Sequence, residues 1–373
     1  MSMQRKSKSN FKEVMIYTGA FMAWVIGSGF ATGQEILRFF SSYGYISYGV
    51  VALNLLGFLF LSRVIVTTGY DHKESNFDHF AYFCGSKLGA IYTWLIPVTL
   101  LLIMSVLTSG AGATLYEYYG INPYIGSALM SVLVLSAYLI GFEKMVKIVS
   151  AISPIIIIFT LFVGGATVIR DYSSFSEIGK YEEVLMTTKA SPNWVLSSAL
   201  YLSLNFLSGG IYFTALGSKA ASRESVRLGA LLGTIALSAT IAIMNTAILL
   251  NSANITLLAI PTLYLAKEIS QIIGAAFSII LTLGIFSSCS TMMWTVCSRF
   301  FAGDMRKNKL FAVLVSTGIF LMSLFPFGKL VGVFYPLVGY VGLLFIGCVI
   351  YRGVWDKGTG VLSHLSRLFQ GHF

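Results

Sequence analysis

The sequence predicts an all-α polytopic membrane protein with ten transmembrane helices, and three observations carry that prediction. Hydrophobic residues make up 56% of the chain and charged residues only 11%, whereas soluble domains carry about 25% charge. Apolar runs of about 20 residues, enough to cross roughly 30 Å of hydrocarbon, recur along the 373 residues. The alternating segments of about 10 residues that build transmembrane β-barrels are missing.

Apolar runs read against charge and Gly/Pro punctuation place the spans at about 14–41, 45–68, 88–116, 124–142, 146–169, 192–216, 226–250, 268–298, 308–326 and 330–351. The stretch 255-ITLLAIPTLYLA-266 is apolar but short and split by Pro261, so it reads as a surface hairpin. The chain is one transmembrane domain over 1–373. It divides into a first half at about 14–169, a second at about 192–351 and a cytoplasmic tail at 352–373. The basic start, MSMQRKSKSN, precedes an apolar run too long for a signal core and without a small-residue cleavage site.

The net charge of +10 is a topology signal. With the N-terminus inside, 19 of the 25 lysines and arginines fall in cytoplasmic segments, among them Lys12, Arg63, Lys144, Arg223, Arg306 and Arg352. Arg38, Arg170, Lys180, Lys189, Lys267 and Lys329 stay outside. The positive-inside rule therefore puts both termini in the cytoplasm, as an even number of spans requires. The basic balance suits anionic lipid and does not argue for nucleic acid. Cys84, Cys289, Cys297 and Cys348 lack metal-ligand spacing, and no P-loop, His-rich motif or Ser-His-Asp signature occurs. An enzyme is not expected.

Two spans are interrupted. In 27-GSGFATGQE-35, three glycines in seven residues each cost helix about 1 kcal/mol relative to alanine. Bare backbone at membrane depth is tolerated beside a protein-lined cavity. Unwinding over Gly27–Ala31 is predicted, with Thr32 and Glu35 restarting the helix as a capping box. Arg38 follows one turn later and can pair with Glu35. A second interruption, Ser208-Gly209-Gly210, lies five spans on, in 205-NFLSGGIYFT-214. Paired breaks in two halves of opposite orientation point to a transporter's binding site; close helix packing is the competing account of such glycines.

The segment 26-IGSGFATGQEILRFF-40 resembles the first helix of the YkvI-type family of bacterial inner-membrane proteins. Its Gly-Ser-Gly-Phe core is similar to the Gly-Ser-Gly-Ile of the amino acid–polyamine–organocation transporters. The resemblance implies the LeuT-type 5+5 inverted repeat with helices 1 and 6 broken, in the bacterial cytoplasmic membrane. It also implies a cation-coupled symporter of a small amino acid or related amine-containing solute, working by alternating access as a monomer or larger. The implied substrate site is Gly27, Ser28, Gly29, Phe30 and Ala31 facing Phe206, Ser208, Gly209 and Gly210, with Tyr212 on the apolar side. Met104, Ser105, Thr108 and Ser109 form the implied back wall.

Span 8, 284-GIFSSCSTMMW-294, resembles a sodium site. Ser287 and Ser288 would complete it with carbonyls of Ile26 and Gly29, Ser290 and Thr291 being alternatives in another register. Oxygen-only ligation suits a hard cation, and no other cofactor is expected. Some sodium-independent relatives place a lysine here from span 5, but 150-SAISPIIIIFTLF-162 has none. Glu35 either caps or gates the restarted helix or couples ions or protons directly. Arg38 reads as an outer gate, with Glu117 or a polar group of span 10 as its partner. Asn54, Asn205 and Asn245 read as interhelical hydrogen-bonding residues, Asn205 being nearest the second interruption. A membrane solute sensor is the alternative of another class.

Overall fold

The computed structural model describes residues 10–73, 77–140, 142–301 and 304–355. The basic N-terminal segment through residue 9 and the tail beyond residue 355 lie outside these. Every regular element among the described residues is helical.

The first span is three pieces: α1 (Phe11–Val25), α2 (Ser28–Ala31) and α3 (Gln34–Phe39). Asn10 opens α1, its side chain accepting from the Lys12 amide. A 3-10 stretch, Ser41–Ile46, leads into α4 (Ser47–Asp71). Then come α5 (His79–Tyr119), kinked at left-handed Gly85, α6 (Pro123–Ile140) and α7 (Phe142–Asp171). A 3-10 stretch, Tyr172–Tyr181, and the short α8 (Glu182–Met186) cross to α9 (Trp194–Ser218), whose first amides bond to Asn193. The rest of the chain forms α10 (Arg223–Leu250), α11 (Ser252–Ile255), α12 (Pro261–Ile269), α13 (Gln271–Cys297), α14 (Met305–Ser323) and α15 (Phe327–Trp355).

Eight stretches among the described residues are long and apolar enough to cross a membrane. Of the ten expected spans, the first falls outside this set because it is cut into pieces. So does α14, which opens with Arg306, Lys307 and Lys309.

Packing sorts the long helices into two groups. One joins α1 with α10, α4 with α9, and α10 with α4; the other joins α5, α6, α13 and α14. Helix α15 bridges them by lying against both α9 and α5. Small residues permit these approaches, as they do in membrane bundles. Gly339 and Gly342 of α15 sit where a Cβ would meet the α9 carbonyls of Leu200 and Ser203 at 2.8 and 2.7 Å.

Two expectations are corrected. Helix α9 runs through Ser208-Gly209-Gly210 without a break. Its glycines are contact points: a Cβ on Gly209 would overlap the Trp24 indole, and one on Gly210 would sit 2.5 Å from His79 Nε2. The Ser208 hydroxyl bonds back to the Leu204 carbonyl at 2.7 Å, as serines inside helices do. The segment 255–266 is not a surface hairpin either. Pro261, Thr262, Leu263, Leu265 and Ala266 are buried, and α12 packs on α13 and α7.

Candidate functional site

The break in the first span lies at Ile26-Gly27, and Ser28–Ala31 then form one helical turn rather than unwound chain. Gly33, at φ 84°, turns the chain from α2 into α3; a Cβ there would crowd Pro261 and Thr262 at 3.1 Å. That left-handed conformation favours glycine.

The capping box does not form. The Thr32 hydroxyl donates to the Gly29 carbonyl at 2.6 Å and accepts from the Gln34 amide at 3.3 Å. The residue preceding α3 is Gly33, which has no side chain to cap with. Glu35 is freed from that role and folds back over α2. A methyl on Gly29 would overlap the Glu35 carboxylate and sit 2.8 Å from the Tyr335 hydroxyl. The Tyr201 hydroxyl lies beside this carboxylate and Asn205 without reaching strict hydrogen-bond geometry.

Gly29, Glu35, Asn205 and Tyr335 line a cavity of about 80 Å³ between α1–α3 and α5, α9, α13 and α15. Its polar wall is Ser28, Glu35, Asn205, Ser208, Ser288 and Tyr335; Ile103, Leu107, Leu204 and Met292 form the apolar one. A second cavity, of about 490 Å³, shares Trp24, Gly27, Ser208, Ser288 and Met292 with the first. It extends past Tyr212 and Ala215 of α9 and Thr291 and Thr295 of α13. It thus runs toward the end of the bundle that holds the last turns of α9 and α13. Trp24 and Tyr212, stacked 4.9 Å apart, stand along it, and the Tyr212 hydroxyl donates to the Ala20 carbonyl at 3.1 Å.

The opposite side is closed. The Thr262 hydroxyl donates to the Ala31 carbonyl, and its amide bonds Thr32 at 3.3 Å. Arg38 donates to Gln34 Oε1 at 3.0 Å, to the Thr188 carbonyl at 3.4 Å and to the Gly328 carbonyl at the start of α15 at 2.7 Å. Span 10 therefore reaches Arg38 through the Gly328 carbonyl, which shares it with Gln34 and Thr188. Glu117 instead accepts from the amides of Ala259 and Ile260 at 2.8 and 3.2 Å. The expected Glu35–Arg38 pair is absent, and among the described residues no ion pair reaches Glu35.

The remaining candidates divide by where they lie. Gly27, Ser28, Gly29 and Ser208 line the first cavity. Phe30, Ala31, Thr108, Phe206, Gly209 and Gly210 are buried but off it. Phe206 packs on Phe58 and Phe213, with ring centres 5.1 and 5.6 Å away. Of the intended back wall, Ser105 and Ser109 bond to Leu101 and Phe325 carbonyls, so the cavity meets Ile103 and Leu107 of α5 instead.

At the suggested cation site, Ser288 accepts from the Ser28 hydroxyl at 3.1 Å and Ser287 lines the second cavity. No donor among the described residues reaches the Ile26 carbonyl, while the Gly29 carbonyl is taken by Thr32. Thr291 bonds back to Ser288 and Ser287 carbonyls at 2.8 and 3.2 Å, and the Ser290 hydroxyl is buried without a partner. The Ser288 hydroxyl thus lies beside the break through its bond with Ser28.

Trp24, Tyr201, Thr262 and Tyr335 are absent from the sequence-derived site. Tyr335 precedes Pro336 inside the continuous helix α15. Asn54 and Asn245 do join helices: Asn54 donates to Ser198, and Asn245 bridges Ser41 and Ser47.

No family model matches the chain. It is similar to the uncharacterized membrane protein YkvI of Bacillus subtilis, 25% identical over 356 residues, covering 94% of this chain and 98% of that protein. It is also similar to the uncharacterized protein YyaD of the same organism, 19% identical over 334 residues, covering 89% and 95%. Among solved structures, MhsT in complex with L-phenylalanine matches with a TM-score of 0.54 at 15% identity, over 94% of this chain and 90% of that one. A manganese transporter mutant from Eremococcus coleocola matches with a TM-score of 0.57 at 13% identity, over 97% and 84%. The chain therefore shares the overall fold of these solved membrane transporters.

Proposed function

We propose that the protein is a secondary active transporter of a small amino acid or related amine-containing solute, coupled to Na+ and working by alternating access. The observation that carries this reading is the pair of cavities meeting at the helix 1 break. A small polar chamber is closed on the Arg38 side and continues into a larger one on the other. That is the form of a carrier with its site reachable from one face. The fold shared with MhsT, whose solved structure holds an amino acid, supports the solute class.

The broken first span and α14 join the eight long apolar stretches to make ten spans. Their packing supports a 5+5 repeat: α1 against α10 is matched by α9 against α4, and α5 against α14 by α13 against α6. With both termini in the cytoplasm of a bacterial cell, the larger cavity faces inward. Rocking of α1, α4, α9 and α10 against the other group would exchange access, and a single chain suffices for the cycle.

Sodium coupling is supported by the free Ile26 carbonyl with Ser287 and Ser288. Coupling to protons through Glu35 is the second reading, favoured by its place on the cavity wall. Uptake of radiolabelled amino acids and amines by purified protein in liposomes, under imposed sodium or proton gradients, tests both. An inward sodium gradient should drive accumulation; full uptake on a proton gradient without sodium overturns the sodium reading.

A further inference from the structure

We infer that one end of the seam between α4 and α10, where Arg223 meets Asp71, is a binding site for an anionic phospholipid, with Arg63 as its phosphate ligand. The inference goes beyond the transporter reading and does not depend on it.

The first observation is charge. Three guanidiniums converge at this corner. Arg223 donates to both carboxylate oxygens of Asp71, which joins the last turn of α4 to the first of α10. Arg227 pairs with Glu224 at 2.8 Å. The Arg63 guanidinium lies close enough to Arg227 and Arg223 to be repelled by both. Among the described residues, no hydrogen bond or ion pair holds it. Two carboxylates against three guanidiniums leave one positive charge unmatched.

The second observation is depth. Arg63 stands eight residues before the end of α4, about 12 Å along the helix, where a bare charge is costly. Other arginines find partners inside the protein: Arg299 donates to the Thr93 carbonyl at 2.6 Å, and Arg352 lies 4.3 Å from the centre of the Tyr82 ring. Arg63 is instead exposed, on the same helix face as Leu56, seven residues earlier and 64% exposed. It looks out into the bilayer, where the anion within its reach is a lipid phosphate. The guanidinium fork suits two phosphate oxygens.

The third is shape. Arg227 heads a similar stripe on α10, since Leu231 and Ile235, four and eight residues on, are 41% and 49% exposed. The Arg223–Asp71 pair makes α4 and α10 antiparallel, so both stripes run from the arginines toward the middle of the membrane. A headgroup on the guanidiniums with acyl chains along Leu56, Leu231 and Ile235 describes a phospholipid. A zwitterionic headgroup brings its own cation and leaves the unmatched charge in place, so the lipid is anionic.

The test titrates dioleoyl phosphatidylglycerol, dioleoyl phosphatidylcholine and inorganic phosphate into the full-length protein in neutral detergent and reads the thermal melt. Phosphatidylglycerol should raise the melting temperature, with a half-maximal concentration at least fivefold below that of phosphatidylcholine. Arg63→Gln should raise the phosphatidylglycerol midpoint at least fivefold. Arg306→Gln removes a charge from α14, which packs on α5, α6 and α13, and should leave the midpoint within twofold. No shift with phosphatidylglycerol, equal midpoints for the two lipids, an unchanged midpoint in Arg63→Gln or an equal loss in Arg306→Gln overturns the site. Inorganic phosphate acting as well as phosphatidylglycerol makes it a free-anion site and overturns the lipid. If Arg63→Gln does not fold, Arg227→Gln carries the same expectation. The melt needs no transport, so a protein that binds this lipid and moves no solute refutes the carrier reading and leaves the lipid site standing.

Discussion

Two glycine-rich segments, 27–33 in the first span and 208–210 in α9, look alike in sequence and do opposite things. In the first, the helix stops at Ile26 and the chain is re-routed through one turn and a left-handed Gly33. In the second, the helix passes straight through. The difference lies in the surroundings. Thr32 and Thr262 supply hydroxyls that satisfy Gly29 and Ala31 carbonyls around the first break, so open backbone is stabilised at depth. Around Gly209 and Gly210 stand the rings of Trp24 and His79, which fill space and, among the described residues, bond no backbone group of α9. Glycine permits a break; a local supply of hydrogen-bond partners makes one.

The largest effect should follow from filling the first segment. Gly29→Leu puts a side chain into the volume of the Glu35 carboxylate and Tyr335 hydroxyl, so solute binding and uptake should fall at least 100-fold while the protein still inserts. Uptake measured in liposomes at matched protein density checks this; retained uptake would remove Gly29 from the site. Gly210→Val should act on folding instead. It overpacks the His79 contact, at a cost of about 1–3 kcal/mol, which a thermal melt in detergent reads out, with solute affinity per folded molecule kept. Equal loss of affinity in both variants would erase the contrast between the segments.

Smaller effects sharpen it. Ser288→Ala removes a hydroxyl beside the break and should weaken sodium binding roughly tenfold, about 1.4 kcal/mol, read by sodium titration of the thermal shift. Thr32→Val removes the bond to the Gly29 carbonyl and should destabilise the protein by about 0.5–1.5 kcal/mol. A matching Ser208→Ala change should be nearly silent, because that hydroxyl only doubles a helix carbonyl's bond to the Leu204 oxygen. An equal loss for Ser208→Ala would show that α9 depends on its hydroxyl as the first span does.

Much of the site could be read before any coordinates. The run from Ile26 to Arg38 showed the break and two residues that line the first cavity, Ser28 and Gly29, and span 8 showed Ser288, which bonds Ser28. Glu35 was visible as a buried acid, but its direction was not. Thr32-x-x-Glu35 matches a capping box in one dimension, and only the left-handed Gly33 turns the carboxylate back onto α2. Phe30 and Phe206, aromatic linings that the resemblance implied, are both buried off the two cavities, since an apolar side chain in sequence does not separate a cavity wall from a core.

The sequence alone determined what depends on composition and neighbouring residues: a helical membrane protein, its long apolar stretches, its charge asymmetry and the weak point in the first helix. These follow from transfer free energies and local propensity, which need no partner. Tertiary structure decided what depends on contacts between distant segments. It kept α9 whole by packing Trp24 and His79 against its glycines, and drew the 255–269 region inward so that Thr262 reaches Ala31. It set Tyr201 and Tyr335 around Glu35. A hydrogen bond or a close contact between residues more than a hundred positions apart leaves no trace in either stretch alone, and the chamber is built from such contacts.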